Sequence, residues 1–263
     1  MGEQLFLIDR EGHTAILTIN RHAQRNSMSF EMWEAFPRHI KELDADPSVR
    51  AIVVTGAGDR AFASGADISE FASKRTGRDA AGLYHRVVEG TMQSLEACSK
   101  PVIAMVNGYA LGGGCELAVA CDIRVAGESA SFGIPSAKLG LVISFTDTKR
   151  LFDLVGPAVA KELLMTGRRL SAREAFQVGL VNQVVADSSL RQATLDLAAT
   201  IGTNAPFSVA SAKAMADQCR RDPDLSNVDP SDADRPFSCY ETEDFREGVQ
   251  AFLEKRPPRF VGR

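Results

Sequence analysis

The sequence predicts an α/β core of alternating strands and helices, followed by a helical C-terminal appendage. Three observations predict it. Up to residue 127, short apolar runs alternate with longer amphipathic stretches. Beyond Phe145, helical periodicity dominates, and Gly156, Gly167 and Gly179 divide one stretch from the next as caps would. In the central stretch, residues 100–117, a continuous apolar run enters a turn, three consecutive glycines and a helix start.

Residues 5–9 and 14–19 read as two strands, with Glu11-Gly12-His13 as their hairpin turn. Residues 21–27 are polar loop. Ser29 suits the N-cap of a helix running to about Leu43, with Met32, Phe36, Ile40 and Leu43 on one face. Pro37 lies inside that pattern and predicts a kink. Residues 51–55 form a buried strand. Residues 60–71 are rich in small side chains and end in acids. They read either as a loop capped by Asp67 or as a place where backbone N–H groups face a ligand. Residues 74–80 are polar loop. Residues 81–97 are helical, with Leu83, Val87, Thr91 and Leu95 on one stripe.

The strand at residues 102–106 is entered through Pro101, which cannot donate to a sheet ladder. Another strand covers 122–127. Phe132-Gly133-Ile134-Pro135 is a turn positioned to bring Ser136 toward a pocket. Helices follow over 147–155, 157–165 and 171–178, the last opened by the capping box Ser171-Ala172-Arg173-Glu174. Residues 181–185 are a short strand, and 188–201 and 206–221 are further helices. Residues 222–236, rich in Asp, Pro and Ser, form a flexible connection. The last helix, 242–255, points Phe245, Val249, Phe252 and Leu253 inward, and Pro257-Pro258 stops it.

The totals exclude several classes. The chain has 263 residues, enough for one large domain or a core with a smaller appendage. Its formal net charge of -4 supplies no bulk basic field for nucleic acid. No apolar run reaches membrane-spanning length, and residues 1–5 lack the start of a secretory signal. The five cysteines (Cys98, Cys115, Cys121, Cys219, Cys239) form no Cys-x-x-Cys pair, so a reduced cytoplasmic protein is expected. The four histidines are scattered, so no metal site is expected.

The chemistry gathers at Gly112-Gly113-Gly114. A phosphate cradle fits poorly, because no Lys-Ser or Lys-Thr follows and no further glycine completes a dinucleotide fingerprint. Close helix–strand packing is one remaining reading. The other is an oxyanion hole, in which backbone N–H groups receive charge developing on a carbonyl oxygen. Glu116 beside such donors is a candidate acid or base, or a favourable contact with the helix dipole. His85 and Glu89 lie four apart on one helix face and read as a surface pair or a catalytic dyad.

Taken together, Phe62-Ala63-Ser64-Gly65-Ala66-Asp67 and the run from Asn107 to Ala118 resemble the crotonase (enoyl-CoA hydratase/isomerase) superfamily. The resemblance extends through Cys121-Asp122-Ile123-Arg124-Val125-Ala126, Leu163-Leu164-Met165-Thr166-Gly167, the Gly-Leu-Val ending at Val181, and Phe252-Leu253-Glu254-Lys255-Arg256. It implies a spiral of ββα turns over 1–200 and a C-terminal helical region over 201–263 that serves assembly as a homotrimer or hexamer. It implies an acyl-CoA thioester as substrate, coenzyme A being part of that substrate and no separate cofactor being needed. The thioester carbonyl would sit between the amides of Ala66 and Gly113 and pass through an enolate. Substrate contacts are implied at Ala63, Gly65, Asp67, Ile68, Gly112 and Lys255, the last near the CoA phosphates.

Family hydratases use two glutamates on one water. The first matches Glu116. The second follows the proline of the Phe-Gly-x-Pro turn, where this chain has Ser136. A hydroxyl is no useful base at neutral pH. The loop 141–149 is also bulkier and more apolar than the family's glycine- and proline-rich loop, and it introduces Asp147, a replacement acid or a helix-capping residue. Glu89 and His85 are further substitutes, and Ser69 stands where a CoA-contacting lysine is often found. The nominal activity is enoyl-CoA hydration. The alternatives are decarboxylation or isomerisation of an acyl-CoA, or a non-catalytic acyl-CoA-binding subunit.

Overall fold

The computed structural model describes residues 4–263. An antiparallel hairpin, β1 (Phe6–Glu11) and β2 (Thr14–Ile19), turns at Gly12 and opens the larger sheet. Thereafter the chain lays one strand in each of two sheets before a helical segment, and repeats. β3 (Ala51–Gly56) and β4 (Ala61–Ala63) precede the Arg78–Ala97 helix. β5 (Val102–Val106) and β6 (Tyr109–Leu111) precede the Gly113–Ala120 helix. β7 (Ile123–Gly127) and β8 (Ser131–Gly133) precede a 3-10 turn, Pro135–Leu139, and the long Phe145–Thr166 helix. β9 (Leu170–Ser171) and β10 (Gln183–Val185) complete the sheets, in the orders β1-β2-β3-β5-β7-β10 and β4-β6-β8-β9. This is the expected ββα spiral. Its repeated strands pair in parallel, and β3 and β5 are buried along their whole length, as strands covered on both faces must be.

The Phe30–Ala45 helix corrects one expectation. Ser29 caps it by accepting from the Met32 N–H, but Pro37 does not break it. Proline removes the bond to the carbonyl four residues back, here Trp33. The Thr91 hydroxyl donates to that carbonyl at 2.8 Å from the neighbouring helix. Thr91 is fully buried, so water offers no substitute. Thr91→Val keeps the shape and orphans the Trp33 carbonyl. It should cost about 1–3 kcal/mol, read as a lower urea midpoint; an unchanged midpoint would remove this bond from the account of the helix.

Other boundaries moved. The Arg78–Ala97 helix starts three residues earlier than expected, and Tyr84, Thr91, Met92 and Leu95 form its buried face, while Leu83 is half exposed. The two helices expected over 147–165 join in one run whose kink is Gly156 at φ 73. Residues 222–236 include the short helical turns Pro230–Ala233 and Arg235–Ser238 begins at their end. The last helix, Glu243–Glu254, ends on Lys255 in the left-handed region (φ 54) before the prolines are reached. Its Phe245, Val249, Phe252 and Leu253 are not inward: Phe252 is 81% exposed, and Asp244 and Ala251 are the buried residues. No helix among the described residues is long and apolar enough to cross a membrane.

Candidate active site

Register within the smaller sheet assembles the site. β4 pairs with β6 so that Ala63 faces Ala110, and β6 pairs with β8 so that Ala110 faces Phe132. Three residues beyond Ala63 the chain reaches Ala66; three beyond Ala110 it reaches Gly113; four beyond Phe132 it reaches Ser136. Residues far apart in sequence therefore leave one sheet edge together. They border a cavity of about 170 Å³, which Glu116, Ile68, Gly65 and Gly112 also line.

Local bonding decides where the amides of Ala66 and Gly113 point. Met28 and Ala66 form a parallel bridge in which Met28 donates to the Gly65 carbonyl and Asp67 donates to the Met28 carbonyl. Such a bridge engages the residues on either side of Ala66 and leaves Ala66's own N–H directed away from the bridge. Gly113 opens its helix, where N–H groups have no intrahelical acceptor. Neither N–H donates to a carbonyl among the described residues. The two segments are close: a Cβ on Gly113 would lie 3.8 Å from the Ala66 nitrogen, and one on Gly65 would lie 3.5 Å from the Gly113 nitrogen.

Glu116 stands in the first turn of the same helix and borders the cavity. Burial pushes its carboxyl up to about 8, and the nearby Asp147 adds to the rise. The Arg75 and Arg150 guanidiniums oppose the shift without cancelling it. Ser136 also borders the cavity and brings no charge there.

Asp147 lines the cavity but is committed elsewhere. It accepts from Arg150 at 2.9 Å and from the Ser144 hydroxyl at 2.6 Å. Ser144, rather than Asp147, is the N-cap of the long helix, and Asp147 occupies its third position. Glu89 does not line the cavity and makes no pair with His85. Arg150 grips it in a fork at 2.8 and 3.0 Å, and Thr146 donates to it. Burial raises the Glu89 carboxyl, but the Arg150 bonds outweigh it and hold the group below its usual range. His85 borders the cavity from an exposed position. Ala63 is fully buried in its strand, and Asp67 pairs with Arg21 at 3.0 Å while capping the turn at Ser69. Lys255 is exposed at the end of the last helix and does not line this cavity within the single chain.

Among the cavity-bordering residues that sequence reasoning missed, three carry polar groups: Trp33, Arg75 and Tyr84. The Arg75 guanidinium stacks on the rings of Phe71 and Tyr84, 4.5 and 4.6 Å from their centroids. Burial raises the Tyr84 phenol to about 12, so it remains a neutral hydrogen-bond group. A stripe drawn through Tyr84 instead of Leu83 was the available signal for one of them. Val142 and Phe145, part of the bulky loop, are each 96% exposed; Val142 borders the cavity and Phe145 does not.

A spiral of ββα turns with two unclaimed amides at one sheet edge, and a carboxyl beside them, defines a crotonase-type protein. The comparisons agree. Residues 9–263 match the family described as "Enoyl-CoA hydratase/isomerase", and the chain belongs to that family. It is 39% identical to the short-chain-enoyl-CoA hydratase of Clostridium acetobutylicum, with 95% of each chain covered. It is 37% identical to the crotonyl-CoA hydratase of Syntrophomonas wolfei over the full length of both. Among solved structures, an enoyl-CoA hydratase/carnithine racemase from Magnetospirillum magneticum superposes with a TM-score of 0.94 at 34% identity, covering 100% of this chain and 97% of that one.

Proposed function

We propose that this protein hydrates a short 2-enoyl-CoA ester. The amides of Ala66 and Gly113 receive the thioester oxygen, and Glu116 carries the proton. The observation that supports this most directly is the pair of adjacent, unclaimed N–H groups beside a carboxyl whose affinity for protons is raised. In the carboxylate form, Glu116 takes a proton from water as the water oxygen bonds to the β-carbon. The C2=C3 electrons move into an enolate whose oxygen the two amides stabilise, and Glu116 returns the proton to the α-carbon. One carboxyl thus balances the reaction, and Ser136 is left to hold the water by its hydroxyl. Each such amide typically contributes on the order of 3 kcal/mol to lowering the barrier.

Ser136 and the commitment of Asp147 to Arg150 favour one second reading, loss of CO2 from a malonyl-type ester, which forms the same enolate without a second base. Incubation with crotonyl-CoA and with a malonyl-CoA analogue separates the two. Hydration of the first supports our reading. CO2 from the second with no hydration would replace it.

We also propose that the exposed face of the last helix is covered by a second and third copy of the chain. Phe245, Val249, Phe252 and Leu253 join Phe207 and Phe260 around one apolar groove. Sedimentation should give a multiple of the 28.4 kDa chain mass; a monomer would remove this assembly.

A further inference from the structure

The corner of the cavity formed by Arg75, Tyr84 and Trp33 carries chemistry that the proposed hydration leaves unused. Arg75 is half-buried, borders the cavity and pairs with no carboxylate among the described residues. Three nearby acids are already engaged, and Glu116 feels the guanidinium without forming an ion pair with it. Asp67 accepts from Arg21, Glu70 accepts from the Phe30 N–H at 2.7 Å, and Asp147 accepts from Arg150. Behind the guanidinium, Tyr84 and Trp33 are 1% and 0% exposed, and both border the cavity. The Tyr84 hydroxyl and the Trp33 indole N–H face each other outside good hydrogen-bond geometry, and neither has another partner among the described residues. Buried polar groups are normally satisfied, and an unpartnered cation in a cavity wall is a standing attraction for an anion.

An aliphatic acyl chain would leave the guanidinium and the polar atoms of these side chains without a partner. The rings of Phe71 and Tyr84 both lie against the guanidinium, which limits its rotamers. A planar guanidinium matches a carboxylate in geometry and in charge. The cavity is small, about 170 Å³, which favours a short acyl group.

Building on the acyl-CoA reading above, we propose that the preferred substrate is a short enoyl-CoA whose acyl chain ends in a carboxylate, and that Arg75 is the specificity-determining residue that receives it. Tyr84 and Trp33 form the polar wall behind the ion pair.

Saturated CoA esters test this without requiring turnover, so a failed hydration assay would not decide it. Glutaryl-CoA and adipyl-CoA are titrated calorimetrically into the full-length protein beside pentanoyl-CoA and hexanoyl-CoA. The carboxylated member of at least one pair should bind about tenfold tighter, the scale of a charge-assisted hydrogen bond. In Arg75→Met that ratio should fall to about twofold or less. Taking a ratio within each pair cancels any effect of the substitution on the CoA portion or on Glu116. Equal affinity within both pairs overturns the proposal, as does a carboxylate preference that survives Arg75→Met. Binding of none of the four overturns the acyl-CoA reading itself, and this proposal with it.

Discussion

Glu116→Gln should lower kcat/KM for crotonyl-CoA hydration by about 10²–10⁴, the usual range for removal of a positioned acid or base. Glutamine keeps the volume and can hold a water, so binding of saturated esters should change little. The pH profile makes the test specific. The groups that set the proton affinity of Glu116 are its burial and Asp147 and Glu89, which raise it, and Arg75 and Arg150, which lower it. The net result is a carboxyl near 8 that is mostly neutral at pH 7. In the proposed mechanism, hydration begins from the carboxylate. kcat/KM, which reports the free enzyme, should therefore rise about tenfold per pH unit below 8 and level off above it. The Glu116→Gln protein should lose that rise. A flat profile in the unsubstituted protein would show that Glu116 does not titrate near 8, and a falling limb near 8 would make it a general acid instead.

How much of this site was legible in the chain depends on how local each part is. The three glycines illustrate the division. Two readings of them were open, close packing and ligand approach, and each glycine has its own reason. Gly112 turns the chain at φ 52; Gly113 begins the helix at the cavity; Gly114 packs against β4. Local signals also marked the hairpin at Gly12, the Ser29 cap and the capping box at Ser171. Contacts across many residues were invisible to them. Glu89 meets Arg150 from 61 residues away, and that pair, rather than any property of Glu89 itself, withdraws it from the site. Thr91 repairs the proline-disrupted helix from 58 residues away. Arg75 fell in a stretch read only as polar loop, because its meaning comes from the Tyr84 ring beneath it. The last helix was read correctly as amphipathic, but periodicity cannot say whether an apolar face meets its own chain or another. Here it faces away from its own.

Gly114→Ala should be among the most damaging single methyl additions in the protein. The added Cβ would fall 2.0 Å from the Ala63 carbonyl oxygen, 2.6 Å from its carbon and 2.8 Å from the Ala63 Cβ. The first two are backbone atoms at the end of β4, in a strand buried along its length, so no flexible side chain can turn aside. Relief requires the Gly113–Ala120 helix to back away from β4. Overpacking of this kind costs about 3 kcal/mol or more, which should appear as a large drop in urea midpoint. The same movement separates Gly113 from Ala66, since those residues lie just beyond the two surfaces forced apart. A displacement of about 1 Å at reacting groups costs on the order of 10² in rate, so the fraction that still folds should hydrate crotonyl-CoA that much more slowly. Gly90→Ala is the control: it lies in the Arg78–Ala97 helix, where an added Cβ meets nothing within 4 Å. It should hold or slightly raise the midpoint, because alanine favours a helix by about 1 kcal/mol over glycine. If Gly114→Ala matched Gly90→Ala in both midpoint and rate, the spacing of β4 and the helix would not be what sets the two amides side by side.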